Sequence, residues 1–333
     1  MQTQLLKTGG ILIDTTNNLI CHFPVPRLVI NTSQVHGGFF QTDTIFHHHI
    51  TDNDKAEQAN EFSFAHLFHS VSKEVVAITA RNSLKCEGVV GFLSNANMAC
   101  HGYSSFYSDN MIVEVLATAV VEANAVRAGD PRRCDNLLGG AINLLVLTNV
   151  NMDQGSMVKA LVTITEAKSA VLQELAVISF MTNYPATGTG KDGVIFAINR
   201  AATINCADTG TQSQFGEILA QAVKTALKKT MALESKINPW RQSMIEERLW
   251  RLGFGEMCST DLPSCSTAKV QIILAASEAI WQEYCWGLIG IDGLYQFFSL
   301  LESKAFQPVG IEISIALRQK IAATVCIEKS KDS

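Results

Sequence analysis

Along the first 110 residues the apolar positions fall into short runs separated by turn-forming residues: Gly10 to Ile13, Leu19 to His22, Arg27 to Asn31, Val75 to Ala80 and Gly88 to Leu93. Runs of this length, closed off by glycine, asparagine or charged residues, predict strands. Between them, Gln34 to Phe40 and Thr51 to Asn60 are polar or glycine-containing. The stretch Glu61 to Ser70 brings Phe64, Leu67 and Phe68 to helical spacing, so the N-terminal region reads as sheet with one helix.

Over residues 111 to 126 the alternation of Val113, Val115, Ala117, Ala119 and Val121 favours a strand over the helix that the alanine content would also allow. Ala141 to Thr148 is an unbroken apolar run, as expected of a central strand buried on both faces. Asn151 and Asp153 then offer caps for a helix from Ser156 to Leu175, in which Leu161, Ile164, Lys168, Val171 and Leu175 recur on one face. Lys168 is the polar member of that face. The loop ATGTGKDG, Ala186 to Gly193, leads into a strand over Val194 to Asn199. A second polar loop, Asp208 to Gln214, leads into a helix over Phe215 to Leu233 with Leu219, Val223, Ala226 and Thr230 as its buried stripe. Pro239 then interrupts the helical pattern. The expected organisation is an α+β domain over residues 1 to 235, a mixed sheet packed with helices, with a helical C-terminal region over 236 to 333 that carries Trp240, Trp250, Trp281 and Trp286.

Composition narrows the classes of function. With 47% hydrophobic and 17% charged residues among 333, the chain can bury a large core. Its formal charge of -5 supplies no basic field for a phosphate backbone, so nucleic acid is not an expected partner. Apolar runs such as Ala141 to Leu147 fall short of the roughly 20 residues that cross a bilayer, and the start MQTQLLKTGG lacks the basic head of a secretory leader. Nine scattered cysteines without a C-x-x-C spacing read as reduced thiols in a cytoplasmic protein. The apolar helices at the end of the chain suit a homo-oligomer surface.

Candidate chemistry is spread over both halves of the first domain. Gly188-x-Gly190-x-x-Gly193 matches a dinucleotide fingerprint in letters alone, because it precedes a strand where that motif must come after one. Gly190 and Lys191 lead to Asp192 in place of Ser or Thr, which excludes a phosphate-binding P-loop. All eight histidines lie within the first 101 residues. His47 and His49 would share one face of a strand, and His66 and His69 one face of a helix. A metal or base site is one reading of the His47 to His49 run. Hydrogen-bonded histidines within the fold are the weightier reading, since no E-x-x-H motif accompanies it. His36, beside Gly37 and Gly38, is the better N-terminal candidate, because glycines let backbone approach a ligand.

The middle third is denser. Asn124, Arg127 and Asp130 share one turn-like stretch, Asn143 starts the central strand, Glu166 and Lys168 lie on the helix after it, and Asp192 and Glu217 belong to the polar loops or the residues after them. Amide hydrolysis needs an activated water or nucleophile, donors for the developing oxyanion and an acid for the leaving amine, and carboxylates, a lysine and loop amides can supply all three. Each has a structural alternative: an Arg127 to Asp130 ion pair, a solvated Glu166, and Thr187 with Thr189 serving only a turn.

In order along the chain, EANAVRAGD (Glu122 to Asp130), GAINLLVLTN (Gly140 to Asn149), VTITEAKSAVLQEL (Val162 to Leu175), ATGTGKDGVI (Ala186 to Ile195) and TGTQSQFGEILAQAV (Thr209 to Val223) resemble the adenosylcobinamide amidohydrolase family. A weaker echo runs through Val35 to Phe40 and Gly88 to Met98. The resemblance implies hydrolysis of the amide that joins aminopropanol to the corrin ring, giving adenosylcobyric acid for cobalamin salvage. The corrinoid would then be substrate, and no cofactor or metal is implied. On the residues themselves the catalytic candidates are Glu166, Lys168 and Asp192, with water activation by Glu166 or Asp192, the oxyanion or leaving group served by Lys168, and the glycine-threonine loop presenting backbone amides. Substrate contacts would come from His36, Asn124, Arg127, Asp130, Asn143, Thr187, Thr189, Gln212 and Glu217. The chain departs from the family pattern at Gln212, where a histidine is usual, at Lys191, where a threonine is usual, and at Ala141 in place of a threonine. Those departures keep two alternatives in view, an amidohydrolase of another amide and a corrinoid-binding protein without turnover.

Overall fold

The computed structural model describes residues 1–33, 35–51, 64–122, 124–131, 140–182, 184–243, 247, 251, 267–285, 290–304 and 310–319. They group into two compact units, Met1–Asn238 and Pro239–Ser333. The first unit is built on a nine-stranded mixed sheet flanked by helices, an α+β fold.

Its organising strand is β3 (Asn18–Asn31), preceded by the hairpin strands β1 (Gln2–Leu5) and β2 (Ile11–Asp14) and followed by β4 (Gly38–His49). Pro24 and Pro26 cannot donate to a ladder, and the register between β3 and β4 shifts between His22 and Arg27, at those prolines. Before the shift β3 pairs with β2 on its other edge, and after it with β11 (Gly193–Ile198). One bent strand therefore turns the sheet from one set of neighbours to another. From β11 the sheet continues through β9 (Ile142–Thr148) and β7 (Met111–Ala119) to β6 (Gly102–Ser108), while β5 (Val89–Ser94) extends it beyond β4.

Period-two alternation divides the sheet into two faces. Ile142, Leu144 and Val146 of β9, with Val113, Val115 and Ala117 of β7 and Val194, Phe196 and Ile198 of β11, join one apolar cluster with the helices α2 (Gln154–Glu174) and α3 (Gln214–Glu234). Leu145, Leu147, Leu116, Ile195 and Ala197 point the other way and meet Leu12, Leu19, Cys21, Phe23, Ile45, Val90 and Phe92 in an interior that the curling sheet wraps around. The helix layer sits close: a Cβ on Gly102 would lie 1.9 Å from the carbonyl oxygen of Ala226. Asp153 and Ser213 cap α2 and α3 by accepting from the backbone N–H of Ser156 and Gly216.

The helix α1 (Phe64–Arg81) corrects one expectation. Val75 to Ala80, which reads as a strand from its β-branched residues, forms its second half. Leu67, Phe68, Val71, Val75 and Ile78 recur at helical spacing and are buried together with Ile13, Ile20 and Phe46, so tertiary packing overrides local propensity. Gly38 to Phe40 belongs to β4 and not to a polar turn. Residues 52–63, which include most of the second polar stretch and the start of the expected helix, lie outside the described residues.

A two-residue pair beyond the main sheet, β8 (Ala125–Val126) with β10 (Gly188–Thr189), holds two loops together near the start of β9. The second unit is helical where described: α4 (Pro239–Ser243), α5 (Thr267–Cys285), α6 (Ile291–Leu301) and residues 310–319. No helix among the described residues is long and apolar enough to cross a membrane. Cys21, Cys86, Cys100 and Cys206 are free thiols.

Candidate active site at the head of the central strands

Strands β9 and β11 run parallel, and a cluster of side chains gathers where both begin. Its hub is Asp192, one residue before β11. The carboxylate accepts from Lys168 Nζ at 2.5 Å, Thr189 Oγ1 at 2.5 Å, the Thr189 N–H at 3.0 Å and the Ile142 N–H at 3.1 Å. It thereby ties helix α2, strand β10 and strand β9 to a single point. Lys168 and Asp192 side chains are only 12% and 13% exposed. A Cβ on Gly188 would lie 2.3 Å from Asp192 Oδ2 and 2.7 Å from Lys168 Nζ, so glycine at that position makes room for the pair.

The loops around this hub are pinned by their own polar groups. Thr187 Oγ1 accepts from the Ala128 N–H at 2.8 Å, and its carbonyl accepts from Ser169 Oγ at 3.2 Å. Asp130 accepts from the Arg127 N–H at 2.7 Å, Ser179 Oγ at 2.5 Å and Thr182 Oγ1 at 2.8 Å. The Arg127 guanidinium donates to the Pro185 carbonyl at 2.9 Å. Asn124 is buried over Gly140, and its Oδ1 is a buried acceptor with no hydrogen-bond partner.

Asn143, one residue after Ile142, points to the interior of the curled sheet. A Cβ on Gly193 would lie 2.7 Å from Asn143 Oδ1, and Asn143 Nδ2 is 3.4 Å from His47 Nε2. His47 is 1% exposed and also meets Ser94 Oγ at 2.8 Å and Thr118 Oγ1 at 3.2 Å. Burial holds its imidazole down to about 3, with neighbouring His48, His49 and His101 pushing the same way. It stays neutral at ordinary pH.

The candidate residues therefore divide. Lys168, Asp192, Thr189, Thr187, Asn124, Arg127, Asp130 and Asn143 lie together. His36 lies on the turn between β3 and β4, whose Thr32 N–H donates to the Val194 carbonyl, so it borders the same end. It is exposed, has a φ of 56° and stacks on Phe40 at 4.4 Å. Glu166 is exposed on α2, two positions or about 200° of helical rotation from Lys168. Gln212 and Glu217 are exposed at the opposite end of the sheet. Their loop is fixed to the start of α2, where Thr209 Oγ1 donates to the Ser156 carbonyl and Lys159 pairs with Asp208. Twelve helical residues separate Ser156 from Lys168, about 18 Å. His47, Ser94 and Thr118 are what the sequence did not assign. The signal available for them was the position of His47 on one strand face with Ile45, which the structure turns inward. Among the described residues no group of three or more His, Cys, Asp or Glu side chains could hold a metal ion.

The family model for adenosylcobinamide amidohydrolase matches residues 7–239. An uncharacterized protein of Methanocaldococcus jannaschii is 26% identical over 246 residues, 68% of this chain and 90% of its own length. The crystal structure of the PH0078 protein from Pyrococcus horikoshii OT3 aligns over 70% of this chain and 81% of its own, with 12% identity and a TM-score of 0.35, too low to carry a shared fold. The chain belongs to the adenosylcobinamide amidohydrolase family.

Proposed function

We propose that this member of the adenosylcobinamide amidohydrolase family hydrolyses the amide between aminopropanol and the corrin ring, releasing adenosylcobyric acid, at the head of β9 and β11. The observation that supports it is the convergence of three family-like segments, those holding Ile142, Lys168 and Thr189 to Asp192, on the Asp192 carboxylate. Water adds to the amide carbonyl carbon, the C–N bond breaks, the corrin side chain leaves as a carboxylate and aminopropanol leaves with the proton as an ammonium.

Asp192 already accepts four hydrogen bonds, which fills the lone-pair sites of a carboxylate and suits an anchor better than a water-activating base. Lys168, held by that anchor, keeps two further N–H donors for the oxyanion or the departing amine. Glu166, on the solvated face of α2, has no part in this assignment. The corrinoid is substrate, and the protein works in the cytoplasm.

The test is incubation of the purified chain with adenosylcobinamide, separation of the corrinoids and assay of free aminopropanol. Equal amounts of aminopropanol and adenosylcobyric acid support the reading. A spectral change on binding without release of aminopropanol makes the protein a corrinoid binder, and the absence of binding points to another amide.

A further inference from the structure

Four polar side chains, His47, Ser94, Thr118 and Asn143, meet inside the curled sheet at exposures of 1%, 7%, 1% and 4%. They interrupt an interior whose other members are Leu12, Leu19, Ile45, Val90, Phe92, Leu116 and Leu145. Buried polar groups cost stability unless they are paired, and apolar residues would fill the same volume without that requirement. Both ring nitrogens of His47 have partners in this cluster, which sits directly behind the residue that opens β9.

The placement of Asn143 identifies the accepting nitrogen of the histidine. Asn143 Nδ2 lies 3.4 Å from His47 Nε2, and an N–H donor there requires a bare Nε2, so Nδ1 carries the proton and donates to Thr118 Oγ1 at 3.2 Å. Ser94 Oγ, which accepts the Ala96 N–H at 3.2 Å, can then turn its own proton to Nε2 at 2.8 Å. The Asn143 carboxamide stands with its nitrogen toward His47 and its oxygen toward Gly193, the residue after Asp192.

Building on the amidohydrolase reading of this end of the sheet, we infer that His47 is a positioning residue: its neutral Nδ1–H tautomer, seated between Ser94 and Thr118, holds Asn143 with Oδ1 presented at the head of the Asp192 loop. Asn143 touches the substrate and His47 acts only through it. Gln in place of His47 can offer an acceptor oxygen near the Nε2 position, whereas Leu offers none.

The experiment is a double-mutant cycle on aminopropanol release with His47→Leu, Asn143→Leu and the pair, with His47→Gln as the conservative variant. Each leucine substitution lowers kcat by about tenfold or more while KM moves less than about threefold, the pair is no slower than the slower single variant, and His47→Gln recovers to within about threefold of wild type. A thermal melt of each variant separates folding from catalysis. Losses that multiply in the pair, or an unchanged kcat in a folded His47→Leu, overturn the inference. Should the wild-type chain release no aminopropanol, the functional reading fails by itself, and two other measurements decide the role of His47. The imidazole 15N spectrum must show protonated Nδ1 with an Nε2 signal that shifts in Asn143→Leu, and the same cycle must couple in Kd for adenosylcobinamide followed by absorbance. A protonated Nε2, or uncoupled affinities, overturns it.

Discussion

Asp192→Asn is expected to destabilise the first unit more than Lys168→Met, because the two charges are not equally held by the rest of the site. With Lys168 gone, the Asp192 carboxylate keeps the Thr189 hydroxyl, the Thr189 N–H and the Ile142 N–H. Methionine also preserves most of the buried stem, so the cost is about 1–2 kcal/mol, the scale of one charge-assisted hydrogen bond. With the carboxylate gone, an ammonium that is 12% exposed loses its anion, and an amide nitrogen faces N–H donors that had an acceptor. Removing one member of a buried pair in this way costs about 3–5 kcal/mol. The double replacement should then cost less than the sum by about 1.5–2 kcal/mol, since the charge stranded by Asp192→Asn is no longer present. Hydrogen exchange at the amides of β9 and β11 is the suitable assay, because it reads the strands whose first residues the Asp192 carboxylate ties together. Equal costs for the two single changes, or strict additivity in the pair, would refute the view that Asp192 is the hub and Lys168 its dependent.

Three further outcomes rest on particular contacts. The His47 imidazole titrates at about 3 in the fold against 6.5 in an open chain, so the open chain binds the proton first as pH falls. The stability this histidine contributes is therefore complete above pH 6.5 and is lost between there and about 3, at up to about 1.4 kcal/mol per pH unit. Wild type minus His47→Gln, measured by denaturation at pH 6.5 and 5, should narrow by about 1.6 kcal/mol, and a flat difference would mean that the buried imidazole is charged. Gly102→Ala, whose Cβ would meet the Ala226 carbonyl at 1.9 Å, should cost about 3 kcal/mol in a denaturation midpoint by forcing β6 away from α3. Gln212→His restores the family's usual residue about 18 Å along α2 from Lys168 and should leave kcat/KM within about twofold. A gain of tenfold or more would move the active site to the opposite end of the sheet.

The parts of the fold that could be read from sequence were those where one physical rule acts alone. The run of Ala141 to Thr148 is unbroken because β9 is covered on both faces, and it could hardly be anything else. Helices α2 and α3 carry long apolar stripes, and Asp153 offers a cap for the first of them, so their extents were legible. The first 110 residues were harder, because burial there is split among separate apolar clusters. Val75 to Ala80 satisfies strand propensity locally, yet every third or fourth residue of α1 faces Phe46 and Ile20. Strand β4 hides its apolar face behind Thr42, Asp43, Thr44 and a histidine triplet whose polar groups find partners across the sheet: His47 on Ser94, His48 on Asn18, His49 on the Ala96 carbonyl. No count of hydrophobic positions can show that a histidine is buried when its partners come from residues 18, 94, 96 and 118.

The candidate site shows the same limit in another form. In the order of the chain, TEAK, ATGTGKDG and TGTQSQ succeed one another and look like parts of one catalytic surface. The crossover from β9 through α2 to β11 separates them, because the chain climbs β9, descends α2 and starts β11 again from the bottom. A segment leading into a parallel strand, such as Thr187 to Asp192, falls at one end, and a segment beyond its exit, such as Asp208 to Gln214, falls at the other. In sheets that are wholly parallel, ligands settle outside the carboxyl ends of the strands, which here would favour the Gln212 end. This sheet is mixed, however: β7 runs against β9, and the carboxyl ends of β4, β5 and β7 deliver His47, Ser94 and Thr118 to the amino ends of β9 and β11, beside Asn143 and Gly193. Both strand polarities thus contribute inward polar groups at the Asp192 end, and that is the physical reason for placing the chemistry there.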